Sequence, residues 1–87
     1  MSPSFQLSCL DAALSIAQAA GRVLAEGAFR RHDAESKSAT TDLVTRYDRA
    51  AEEVIVAAIR SRFPDHRILA EESGAHGSDD GAPRWII

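Results

Sequence analysis

The residues able to do chemistry gather in two short stretches, Glu71-Glu72 and Asp42-Leu43-Val44-Thr45-Arg46-Tyr47-Asp48, with Lys37 just upstream. Glu71 and Glu72 directly follow Arg67-Ile68-Leu69-Ala70, an apolar run that reads as a buried strand. Carboxylates at the carboxyl end of such a strand stand where α/β proteins place ligands. Their oxygens suit a hard cation such as Mg2+, which keeps several of its waters. The same pair equally suits the start of a solvated loop, and on the residues alone that is the plainer assignment. Asp48 can orient a water, or it can complete a helix start with Thr45. In that T-x-x-D pattern the Thr45 hydroxyl accepts from the Asp48 backbone N–H, and the carboxylate complements the positive helix end. Lys37 can meet an anion as a flexible point charge, or stay solvated like Asp33 and Glu35. His32, His66 and His76 have no ligand spacing and read as surface residues. Cys9 reads as a small boundary residue. No glycine-rich phosphate loop, nucleophile elbow or Ser/His/Asp order is present.

The elements that position these residues follow from periodicity. A helix is predicted over about 4–29, with Leu7, Leu10, Leu14, Ala17 and Leu24 along its apolar face and Ile16, Ala20 and Val23 widening it. Gly21 and Gly27 each weaken this helix by about 1 kcal/mol relative to Ala, unless Gly21 marks a close crossing. Residues 30–41 are polar, lack periodicity and read as an exposed, mobile loop. After an extended Asp42-Leu43-Val44, a second helix is predicted over about 45–62, with Ala51, Ile55, Ala58 and Ile59 on its apolar face and Phe63-Pro64-Asp65 ending it. Strands are predicted at about 67–72 and 84–87, joined by a loop rich in Gly, Ser and Asp. The class is α+β: two helices followed by a β-hairpin.

Bulk properties narrow the function classes. The 87 residues carry a formal charge of −3 and are 45% hydrophobic, which suits one small soluble unit or part of a larger one. Ten basic residues scattered among thirteen acidic ones give no electrostatic footprint for nucleic acid. No continuous apolar run approaches the ~20 residues of a membrane span, and the N-terminus lacks the pattern of a signal peptide. The lone Cys9 excludes an internal disulfide. A cytoplasmic protein with a reduced thiol is expected. Two strands with an apolar Trp85-Ile86-Ile87 terminus are marginal alone in water, so the chain is expected to be part of a longer protein.

An ordered set of motifs carries a resemblance. Lys37 is followed by Asp42-Leu43-Val44-Thr45-x-x-Asp48, an Ala-Glu-Glu helix and Arg62-Phe63-Pro64-Asp65-His66. Then come Ile68-Leu69-Ala70-Glu71-Glu72-Ser73-Gly74 and Trp85-Ile86-Ile87. Order and spacing resemble the inositol monophosphatase family; residues 12–26 match its first helix only loosely. The resemblance implies a layered αβαβα sandwich, to which residues 1–87 contribute the N-terminal part of one domain. It implies an Asp-Pro-x-Asp-Gly-Thr metal motif just after Ile87. By the same resemblance Glu71 is a Mg2+ ligand that helps activate water, and Glu72 supports it. Asp48 belongs to the water-orienting relay, Lys37 lies on a mobile loop near the phosphate, and Thr45 stays a cap. Arg46-Tyr47 departs from the family pattern, and both are expected to face outward.

The implied activity is Mg2+-dependent hydrolysis of a small phosphate monoester, of inositol phosphate or histidinol phosphate type, by the full-length protein. The 87-residue chain alone is expected to be inactive. Alternatives are a 3′(2′),5′-bisphosphate nucleotidase of the same family and a non-catalytic truncated interaction module. The expected partner is a small phosphorylated metabolite, with neither nucleic acid nor membrane, and the family's habit suggests a homodimer formed by the full-length protein.

Overall fold

The structure, a computed structural model, describes residues 3–31, 37–77 and 81–87, with only the backbone of residues 31 and 37–41. Helix α1 spans Pro3–Arg31 and helix α2 spans Lys37–Arg62. Strands β1 (Arg67–Ala70), β2 (Gly74–His76) and β3 (Arg84–Ile86) form one mixed sheet in the order β2-β1-β3. The α+β class holds, as two helices followed by a small sheet.

The two helices run antiparallel, because Gly27 late in α1 meets Tyr47 early in α2 while Ala12 and Ile16 share a core with Ile59. The buried side of α1 is not the leucine stripe. Ala12, Ile16 and Ala20 are buried, whereas Leu7, Leu10 and Leu14 are more than half exposed. Small residues at these spacings let the helix backbones approach closely, and that decides the facing side. Gly27, not Gly21, marks the crossing: a Cβ at Gly27 would lie 2.5 Å from Tyr47 Cγ, while Gly21 has open space around it. By length and composition α1 is apolar enough to cross a membrane, unlike the expectation from run length. Only 17% of its apolar window is buried, on the face packed against α2.

On α2 the expected apolar side is the observed one, with Ala51 and Ile59 buried and Ile55 and Ala58 half-buried. Its start differs. The backbone is already helical at Lys37, so residues 37–44 are neither loop nor extended; the rest of the expected loop, residues 32–36 with His32, Asp33 and Glu35, lies outside the described residues. Leu43, Val44 and Tyr47 are half-buried beside Leu24, Gly27 and Ala28. Extending the helix therefore continues the burial upstream. Tyr47 faces α1 rather than solvent; Arg46 is exposed. Arg60 and Arg62 complement the negative helix end.

β1 is buried on one side only: Ile68 and Ala70 point into the core and Leu69 is 41% exposed. It pairs antiparallel with β2 (Ile68↔His76, Ala70↔Gly74), through a turn at residues 71–73 that Gly74 closes at φ 82°. β2 returns the chain to the level of Arg67, so β3, placed on the opposite edge, must run parallel to β1 (Arg67↔Arg84, Leu69↔Ile86). The expected hairpin of residues 67–72 with 84–87 is thus a parallel pair, and the antiparallel partner is the three-residue β2. His66 is half-buried rather than superficial.

Candidate functional site

β1 ends at Ala70, and Glu71, Glu72 and Ser73 make the turn that follows. α2 passes beside this turn. Between them lies a cleft of ≈ 340 Å³ lined by Asp48, Glu52, Glu71 and Glu72, with Leu24, Ala51, Ile55 and Ile87 as its apolar walls. Asp48 is carried in by α2. Glu71 and Glu72 come from the carboxyl end of β1, and Ile87 follows β3 at the same end, its N–H donating to the Leu69 carbonyl at 2.9 Å. Asp48, Glu71 and Glu72 are exposed.

Glu52 is different. It is only 9% exposed, and both its oxygens are engaged. The Glu72 N–H donates to Oε1 at 2.8 Å and the Ser73 N–H donates to Oε2 at 3.0 Å. The Glu72 amide is the main cause holding the Glu52 carboxyl below its ordinary range; burial opposes this, while Ser73 and the charge of His76 add to it. Hydrogen bonds to the ionised form favour that form. His76 Nε2 in turn lies 2.7 Å from the Ser73 hydroxyl. Glu52 is not among the site residues expected from sequence. The available signal was its place among Ala51, Ile55 and Ile59, a carboxylate on the apolar side of an amphipathic helix.

The other predicted site residues are placed as follows. Thr45 lies two turns inside α2, so it is not a cap, and α2 has no acidic residue in its first turn. Thr45 lines a separate hollow with Asp42, Arg49 and Glu53. The Lys37 backbone is the first residue of α2, and its side chain lies outside the described residues. Asp48, Glu71 and Glu72 are therefore brought to one cleft, and Thr45 is not.

The donor set fits a hard divalent cation in kind: among the described residues, the ionisable side chains lining the cleft are carboxylates, with no thiol or imidazole. It does not make a full cage, because among the described residues no group of three or more His, Cys, Asp or Glu could hold a metal ion.

A sequence profile of the inositol monophosphatase family matches residues 6–87. The chain belongs to that family. It is 43% identical over 79 residues to the Nus factor SuhB of Pasteurella multocida, covering 90% of this chain and 30% of that protein. It is 35% identical over 82 residues to human inositol monophosphatase 2 (91% of this chain, 28% of that protein). Against human inositol monophosphatase 1 the identity is 34% over 82 residues (91% and 30%). The chain thus spans less than a third of the length of these relatives. No solved structure matches.

Proposed function

We propose that the protein to which this chain belongs is a Mg2+-dependent phosphomonoesterase acting on a small phosphorylated metabolite of inositol phosphate or histidinol phosphate type. The observation that carries this is the convergence of Asp48 with Glu71 and Glu72 on one cleft, in a member of the inositol monophosphatase family. A cleft walled by carboxylates repels a phosphate dianion, so substrate approach requires added positive charge. Bound Mg2+ would supply that charge, polarise the phosphoryl group and lower the pKa of a coordinated water. Glu71 would hold the cation and accept hydrogen bonds from the attacking water. Asp48, facing it from α2, would orient that water, and Glu72 would support the pair. Lys37 would meet the phosphate as a point charge. The carboxylates among the described residues are too few for a complete site, and on this reading the 87 residues alone would be inactive. Work in the cytoplasm as a homodimer goes with the same reading.

Phosphate release by the full-length protein, with Mg2+ present, tests this on inositol phosphate, histidinol phosphate and a 3′-phosphoadenosine nucleotide. Release from either of the first two supports the proposal. Release from the nucleotide alone makes the protein a 3′(2′),5′-bisphosphate nucleotidase, and no release from any of them removes the phosphatase reading. One observation favours a second reading, a non-catalytic interaction module: Leu7, Leu10 and Leu14 stand exposed along one side of α1, and some relatives are named as Nus factors.

A further inference from the structure

At the cleft, Asp48, Glu71 and Glu72 are exposed, while Glu52 is nearly buried and has each oxygen taken by a backbone amide. Those amides belong to Glu72 and Ser73, the two residues directly after Glu71. Each of these bonds fixes the direction of one carboxylate oxygen and leaves it a second acceptor position. Glu52 also sits one helical turn after Asp48 on α2. One side chain therefore ties the helix bearing Asp48 to the turn bearing Glu71. The hydrophobic contact of Ile59 with Ile68 joins α2 to β1 further along, but nothing in that apolar contact fixes the conformation of the turn. Two charge-assisted hydrogen bonds to consecutive N–H groups do, because they specify direction as well as distance.

We propose that Glu52 is a positioning residue, which clamps the turn after Glu71 so that Glu71 faces Asp48, and thereby sets the divalent-cation affinity of the cleft. The consequence for catalysis rests on the phosphatase reading above; the consequence for cation binding does not. Partners that orient a metal ligand from behind usually matter by 10–100-fold in affinity or activity.

Two substitutions separate positioning from charge. Glu52→Asp keeps the negative charge but is one methylene shorter, so it cannot reach both amides from the α2 backbone. Glu52→Gln keeps the length but turns an amide NH2 towards one of the two donors. Glu53→Gln, next in sequence and exposed on the other side of α2, removes a charge without touching the clamp. Mg2+ binding to the full-length protein is measured by titration calorimetry without substrate, with amide hydrogen exchange followed at Glu72 and Ser73. Thermal melting of each variant reports on folding; if Glu52→Gln does not fold, the milder Glu52→Asp carries the test. The expected result is a Mg2+ Kd raised about 10–100-fold in Glu52→Asp and Glu52→Gln, with faster exchange of both amides and wild-type binding in Glu53→Gln. Wild-type Mg2+ affinity in Glu52→Asp overturns the proposal, as does retained protection of the two amides. Phosphate release measured on the same samples distinguishes the two readings. A wild-type protein that binds Mg2+ but hydrolyses no ester, with binding still weakened in Glu52→Asp, defeats the phosphatase reading and leaves the positioning role standing. A wild-type protein that binds no Mg2+ defeats both.

Discussion

Trp85 donates its indole N–H to Nδ1 of His66 across 3.0 Å, and this bond fastens β3 to the segment that leads into β1. His66 also stacks on Phe63 at the end of α2, with ring centroids 4.7 Å apart, and meets Phe5 of α1 edge-on at 5.7 Å. One imidazole thus gathers both helices and the sheet. Because Nδ1 accepts from Trp85, the proton of the neutral ring belongs on Nε2. Trp85→Phe keeps an aromatic ring but removes the donor. It should cost about 0.5–1.5 kcal/mol, the net worth of one hydrogen bond, read from urea unfolding of the full-length protein by circular dichroism.

Gly27 faces Tyr47 where α1 and α2 cross. A Cβ there would lie 2.5 Å from Cγ and 2.7 Å from Cβ of Tyr47, the stiff base of that side chain. Gly27→Ala should therefore destabilise by about 1–3 kcal/mol through overpacking, reversing the gain that alanine normally brings to a helix. Gly21→Ala, with open space around it, should show that gain, up to about 1 kcal/mol. Parallel melting curves of the two variants check the sign of each.

Glu52 predicts an acid-dependent contribution to stability. Its folded carboxyl is held below the ordinary value of 4.5, chiefly by the Glu72 amide. A lowered folded pKa means that the unfolded chain takes up the proton first as pH falls. The contribution is therefore fully present above about 4.5 and is lost as pH drops from there through the folded value. In Glu52→Gln the acid limb of the stability curve should be shallower over that window. Unfolding midpoints measured between neutral pH and pH 3 test this, and identical acid limbs would contradict it.

Ile59 and Ile68 are each 1% exposed and join α2 to β1 in the core. Ile59→Ala removes buried methyl groups where both helices and the sheet press together. The expected loss is about 2–5 kcal/mol, measured by chemical denaturation. Leu10→Ala on the exposed side of α1 should cost far less if that side is as open in the full-length protein as it is here.

Much of this architecture is written in the sequence, and its failures have physical causes. The apolar side of α2 is legible because Ala51, Ile55 and Ile59 keep helical spacing and nothing competes with them. On α1 two apolar sides compete. The large leucines suggest one, but close helix approach selects the side that carries the small Ala12, Ala20 and Gly27, with Ile16 buried among them. The start of α2 is obscured because Thr45 and Asp48 spell a capping pattern, while burial of Leu43, Val44 and Tyr47 carries the helix past it. β2 is three residues that begin with Gly74 and are followed by Gly77, too short to show alternation. The strand-end carboxylates Glu71 and Glu72 are visible as a motif. Glu52 is not, because its partners are backbone amides twenty and more residues away, and side-chain spacing carries no trace of them.

The central claim is that Glu71, at the end of β1, is the carboxylate through which the protein uses Mg2+ to hydrolyse a phosphate ester. The direct measurement is phosphate release by the full-length protein over a range of Mg2+ concentrations, in wild type and Glu71→Gln. Release should rise with Mg2+, stop on chelation and fall at least about 100-fold in the variant, the upper end of what an outer partner of a metal ligand costs. Release by Glu71→Gln at the wild-type rate, or release indifferent to Mg2+, would contradict the claim.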